Sequence, residues 1–394
     1  MKDWLDSIRK GNLSALPAVA GLVVLCIVFS VMRPVFFTAG NFANLFAQAA
    51  QVSLIAMGLV FVLLLGEIDL SAGFTSGVCA AVLATTMAQQ DFPWYAAIGI
   101  AIAIGALIGL VLGFLVAKFG IPSFVVTLAA FLAFQGVVLL VVKQGNIISI
   151  RDPMVIAIAT KNLTPALGWA FFAVAVLGYA AVQVRSNLSR RKQGVTADSW
   201  NAVLLRVGAL GVLLGVMVAV LNQERSRNVL IVSLKGVPIV VPVIGIFLVL
   251  GTFLLGRTAY GRHLYAVGGN REASRRAGIN VDWIRISAFV ICSTMAAVGG
   301  IVAASRNASV DPNTGGSNVL LYAVGAAVIG GTSLFGGKGR VIDAVLGGLV
   351  VAVIDNGMGL MGYSAGVKYV VTGTVLLLAA SVDALSRKRA YVST

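Results

Sequence analysis

The chain has 394 residues, of which 59% are hydrophobic and only 11% charged, and its mean hydropathy is +0.98. A soluble chain of this length would carry roughly a quarter charged residues and split into two or three domains, so the composition excludes a soluble globular protein and turns length into a count of membrane crossings. The formal charge of +15 does not point to nucleic acid, because Lys and Arg fall in the gaps between apolar runs and build no continuous basic face.

Apolar runs occur near 13–32, 45–65, 72–90, 94–117, 123–142 and 166–184, and again near 203–221, 237–255, 286–304, 319–334, 341–360 and 366–382. Each is close to the roughly 20 residues with which a helix crosses about 30 Å of hydrocarbon. Short or Gly-rich runs such as 319–334 fit broken or re-entrant helices. The expected fold is therefore an all-α, polytopic integral membrane bundle of about 10–12 transmembrane helices. It forms one transmembrane domain over 1–394, with a polar cytoplasmic segment at 257–285.

The first run lacks a small-residue cleavage site and reads as a retained helix. Short cytoplasmic loops retain cations, which sets the orientation. With Lys2, Arg9 and Lys10 inside, twelve crossings also place Lys118, the run from Arg190 to Lys192, residues 257–285, Lys338, Arg340 and Arg387 to Arg389 inside. Both termini are then cytoplasmic. Arg225 and Arg227 fall outside and are the strain in this scheme.

Directly after the second run the chain reads GEIDLSAG, residues 66–73. Acids at the edge of a bilayer are costly, so they serve either as interface anchors or as parts of a polar pathway. Asp69 and Ser71 are both good N-caps for the run that starts at Ala72, and one of them is expected to close its first turn. Glu67 has no such local use. It is expected to face a water-accessible cavity or a dimer seam, the alternative being that both acids mark the cytoplasmic interface. Further on, Gly105, Gly109 and Gly113 put small residues on one helix face, which lets two backbones approach closely in lipid. GGTSLFGG at 330–337 echoes GEIDLSAG in its Gly, Leu and Gly spacing, as internal duplication in transporters would leave it.

Cys26, Cys79 and Cys292 lie far apart inside apolar runs, and His263 is the sole histidine. Neither a metal site nor a disulfide framework is expected, and with no cluster of catalytic side chains no enzymatic activity and no cofactor is expected either. LFGGKGR at 334–340 fails as a phosphate loop, because Lys338 is followed by Gly and the upstream glycine is misplaced.

The most polar stretch lies between the eighth and ninth runs. Within it NREASRRAGI reads as a short helix: Asn270 as N-cap, Glu272 in the first turn, Arg275 and Arg276 late, and Gly278 as the stop. A capped helix is more than a linker needs, so the reading is a docking element. GRHLYAVGGNREASRRAGINV resembles the cytoplasmic coupling segment of the permease subunits of ribose and xylose type ABC sugar importers. GEIDLSAG resembles the segment after the second helix of that family, and IGGTSLFGGKGRVIDAVLGGLVVAVIDNGMGLMG its C-terminal region. The resemblance covers most of the chain and, with the extra run at 203–221 followed by KGVP, is nearest to the xylose permease branch.

The resemblance implies a permease in the bacterial inner membrane that passes a monosaccharide, a pentose such as xylose, into the cytoplasm. It implies a separate cytoplasmic ATPase, a periplasmic or lipid-anchored sugar-binding protein, a second copy of the chain, and surrounding lipid, with no nucleic acid. Gly268, Gly269, Asn270, Glu272, Ala273, Arg275, Arg276, Gly278 and Ile279 are the coupling residues it implies, and Glu67, Asp69, Ser71 and Gly73 belong to its polar segment near the translocation path. Asp355 and Asn356 join them as candidate pathway residues. Leu320, Leu321, Tyr322 and Ala323 stand where the family usually has Glu-Leu-Asp-Ala, so two acids are missing here. The alternative is a proton-coupled secondary sugar transporter, which would need no docking helix.

Overall fold

A computed structural model describes residues 16–226, 228–230 and 233–392. Among the described residues, each of the twelve apolar runs contains a helix. In chain order the helices are α1 (Leu16–Met32), α2 (Ala39–Leu64), α3 (Ala72–Gln90), α4 (Trp94–Lys118), α5 (Ser123–Val142), α6 (Pro153–Thr160), α7 (Pro165–Lys192) and α8 (Trp200–Leu221). They continue with α9 (Val240–Arg257), α10 (Ala259–Gly269), α11 (Arg271–Arg276), α12 (Val281–Asn307), α13 (Ser317–Gly330), α14 (Val341–Leu360) and α15 (Ala365–Val392). The cations at 2–10 lie outside the described residues.

Among the described residues eight helices, α2, α4, α5, α7, α8, α9, α12 and α14, are long and apolar enough to cross a membrane. The chain is a multi-pass membrane protein. Shorter apolar helices cover most of α1, α13 and α15, and α3 is less apolar and almost wholly enclosed. With 14 residues, α13 rises only about 21 Å and falls short of the hydrocarbon thickness, as its Gly-rich run foretold.

Burial separates core from periphery. In the most apolar stretch of α2 and of α12 78% of residues are buried, against 6% in α7, so the first two form the axis and α7 with α8 a peripheral pair. A helix apolar on every side belongs inside such a bundle. The glycine stripe of α4 lies on α12: a Cβ at Gly105 would stand 2.6 Å from that of Ala297, and one at Gly113 2.8 Å from the Ile286 Cα. Only glycine permits that approach, and it brings two long helices together where apolar burial alone gives no drive.

Three features were not anticipated. Residues 259–269, read only as the flank of the capped helix, form α10, and Gly268 and Gly269 are its last residues. Ile148–Ser149 (β1) pairs antiparallel with Ser309–Val310 (β2), tying the α5–α6 connection to the end of α12. Arg225 closes the α8–α9 connection, its guanidinium donating to the carbonyls of Leu221 at 2.7 Å and Gly236 at 3.0 Å, which gives a use to a cation that strains the charge pattern.

Candidate functional site

The end of the bundle that carries α10 and α11 is built from three connections: 65–71, 264–280 and 331–340. Each has a sequence reason to be there. Helix α2 stops in a Schellman motif, with Gly66 N–H donating to Leu63 O at 2.9 Å and Glu67 N–H to Val62 O at 3.2 Å. Gly66 holds φ +71°, where L side chains are strained. That turn points Glu67 back toward the centre of the junction.

The two stretches that echo each other in sequence, 66–73 and 330–337, are neighbours in space. Gly337 N–H donates to Leu64 O at 2.8 Å, and the Phe335 carbonyl faces Gly66. The same Leu64 carbonyl abuts Gly268, so that any side chain at 268 would strike it. Tyr265 donates to Gly339 O at 2.7 Å. Helix α10 is thereby fastened to both glycine turns.

Glu67 is the electrostatic centre of the junction. Its Oε1 accepts from Arg271 Nη2 at 2.5 Å and from Arg285 Nε and Nη2 at 3.0 and 2.7 Å. Arg285 is buried at the start of α12, and Arg271 opens α11. One buried carboxylate therefore joins the α2–α3 turn, the first residue of α11 and the first turns of α12. Glu67 is thus enclosed between two cations at this junction. Neither Arg271 nor Arg285 was singled out from sequence, since partners 204 and 218 residues away leave no local signal.

Asp69 is fully buried, and its Oδ1 accepts from Ser71 N–H at 2.9 Å and Ser71 Oγ at 2.6 Å. The Ala72 amide and the Cys292 thiol lie at the same carboxylate. Ser71 is the N-cap of α3 but makes no side-chain cap bond, so Asp69 is the residue that orders this turn. Ser123 and Thr127 of α5 hold the backbone of Ile68 on the other side.

Helix α11 forms as its caps dictate. The Asn270 side chain accepts from Ala273 N–H at 2.9 Å, Glu272 pairs with Arg276 at 3.2 Å, and Gly278 terminates the segment at φ +82°. Ser274 turns inward onto Asn270 O, while Glu272, Ala273, Arg275 and Arg276 stay exposed. The helix is thus held from beneath and open above. Lys118 of α4 adds a 2.9 Å ion pair to Asp282 at the start of α12.

Asp355 and Asn356 sit toward the other end of α14 and do not join this junction. Asn356 and Asn41 of α2 exchange reciprocal amide bonds at 3.0 Å, with Asn41 also donating to Phe36 O, a buried helix pairing. Asp355 pairs with Lys368 of α15 at 3.1 Å and stays partly exposed.

Residues 41–380 match the family model described as branched-chain amino acid transport system / permease component. The chain is 33% identical over 98% of its length, and 95% of the relative, to the xylose transport system permease protein XylH of Escherichia coli (strain K12). The XylH protein of Haemophilus influenzae (strain ATCC 51907 / DSM 11121 / KW20 / Rd) is 31% identical, over 97% of this chain and 99% of the relative. The ribose import permease protein RbsC of Escherichia coli (strain K12) is 31% identical, over 92% of this chain and 91% of the relative. No solved structure matches the chain. Full-length similarity to transport permeases, on a helical membrane bundle with an exposed, firmly braced helix at one end, means that this chain belongs to the ABC-type membrane permease family and is a transporter subunit, not an enzyme.

Proposed function

We propose that this chain is the membrane permease of an ATP-driven importer that receives a monosaccharide, a pentose such as xylose, from a binding protein and passes it into the cytoplasm. The observation that carries the reading is the construction of α11. Arg271 fixes it to the α2–α3 turn through Glu67 and Ser274 folds back onto Asn270, while its outer side offers Glu272, Ala273, Arg275 and Arg276 to a partner. That partner is a cytoplasmic ATPase, and the α11 end is the cytoplasmic end, as the cations at Lys118, Arg190 to Lys192, Lys338 and Arg340 support. The binding protein meets the opposite end.

The near full-length relatives named for xylose and ribose support a sugar over the amino acids in the family description. A second copy of the chain completes the pathway about an axis along the membrane normal. Gly268, Gly269, Asn270, Gly278 and Ile279 shape and position the coupling segment, Glu67 anchors it, and Asp69, Ser71 and Asn356 hold helices in register. Asp355 keeps the pathway role. The test is uptake in reconstituted vesicles. It should stop when the ATPase subunit is omitted and persist when the proton gradient is collapsed; the reverse pattern would make the chain a proton-coupled secondary transporter.

A further inference from the structure

At the end opposite α11, four helices bring a mixed polar and aromatic group together. Asp355 of α14 pairs with Lys368 of α15 at 3.1 Å, with side chains 42% and 20% exposed. Arg306, exposed on the last turn of α12, lies within electrostatic range of Asp355, as does Tyr322 of α13. The rings of Tyr322 and Tyr369 stand 6.5 Å apart at 53°, and Asn318 Nδ2 donates to the Tyr369 hydroxyl at 2.6 Å.

Two observations argue against a purely structural role. A lone ion pair would suffice to tie α14 to α15, yet the group adds two phenols, an amide and a second cation, several of them accessible. Charges on transmembrane helices are costly, almost always face the bundle interior or a water-filled cavity, and mark substrate pathways. The chemistry is that of hydroxyl recognition: the carboxylate accepts, the ammonium, guanidinium and amide donate, the phenols do both, and the aromatic faces offer an apolar surface to the C–H side of a sugar ring. Asp355 offsets one of the two cations, which leaves a single net positive charge among three neutral hydroxyl and amide groups.

We infer that Asp355, Lys368, Tyr322, Tyr369, Asn318 and Arg306 form a sugar-contacting wall at the mouth of the pathway that discriminates among monosaccharides after the binding protein has released them. This rests on the sugar-importer reading above. The experiment uses the full chain reconstituted with its ATPase and binding protein, with a pentose and a hexose supplied at saturation by the same binding protein. Tyr322→Phe, Tyr369→Phe and Asp355→Asn should each change the pentose-to-hexose uptake ratio about two- to tenfold, the range of one lost hydrogen bond. The exchange Asp355→Lys with Lys368→Asp should restore the ion pair and the amount of folded protein without restoring the ratio. An unchanged ratio in all three single variants, or a wild-type ratio in the exchanged pair, would overturn the inference while leaving the importer reading intact. Uptake of a branched-chain amino acid and of no sugar by the unaltered complex would overturn both.

Discussion

Replacing Glu67 by Leu tests the anchor of the coupling segment most directly. The Arg285 side chain is only 9% exposed and donates two hydrogen bonds to Glu67 Oε1, so deleting the carboxylate leaves a buried cation without its counter-charge. Breaking a buried pair from one side costs about 3–5 kcal/mol. Arg271, with its side chain 45% exposed, is screened by solvent and adds only about 0–1 kcal/mol. Thermal denaturation in detergent should therefore show a loss close to the Arg285 figure, accompanied by loss of ATP-driven uptake in proteoliposomes. The double variant Glu67→Leu with Arg285→Leu removes the stranded charge and should recover most of the stability, since apolar replacement of a buried pair is near neutral. Uptake per ATP hydrolysed should stay low, because Arg271 still lacks the carboxylate that ties α11 to the α2–α3 turn. A Glu67→Leu chain as stable and as active as the unaltered one would refute the anchor, and a double variant regaining full uptake per ATP would refute its part in transmission.

The remaining expectations address separate parts of the molecule. Ala273→Pro, costing about 3 kcal/mol of local helix stability, and charge reversal at Arg275 and Arg276 should abolish ATP-driven uptake while leaving membrane insertion intact; unchanged uptake in a complex with the broken helix would sink the docking role. Gly109→Val drives a side chain into the Phe289 carbonyl of α12, and overpacking of this kind costs about 1–3 kcal/mol or more; an unchanged melting temperature would contradict the close α4–α12 seam. Native mass measurement of the active complex should find two copies of this chain, and a single copy would contradict the proposed pair. Amides of Leu234 and Ser226, with the Ser233 hydroxyl, hold the Glu224 carboxyl down at about 2 from its ordinary 4.5. A depressed acid stabilises above its unfolded value, so protection of the Leu234 amide, its exchange rate divided into the intrinsic rate at each pH, should stay high near neutral pH and fall as pH drops from about 4.5 toward 2; a protection that does not change with pH, or a profile unaltered by Glu224→Gln, would remove Glu224 as the clasp of this loop.

The sequence by itself determined the class, the helices and the caps, because these rest on local physics. Twelve apolar runs of helical length became twelve helices, and Asn270, Glu272 and Gly278 closed α11 where cap chemistry placed them. The glycines at 105, 109 and 113 announced a close helix contact, although not that α12 would be the partner. Tertiary structure alone decided what Glu67 does. From the chain it is an acid after an apolar run, equally suited to a pathway or an interface. Its partners are Arg271 and Arg285, more than 200 residues away and brought to it by the packing of α2 against α12. The same holds for Asp355, whose neighbours come from α12, α13 and α15. Local propensity acts over a few residues, whereas the charge that satisfies a buried carboxylate is chosen by whichever helices the bundle sets beside it, and that choice is written in the packing of the whole chain.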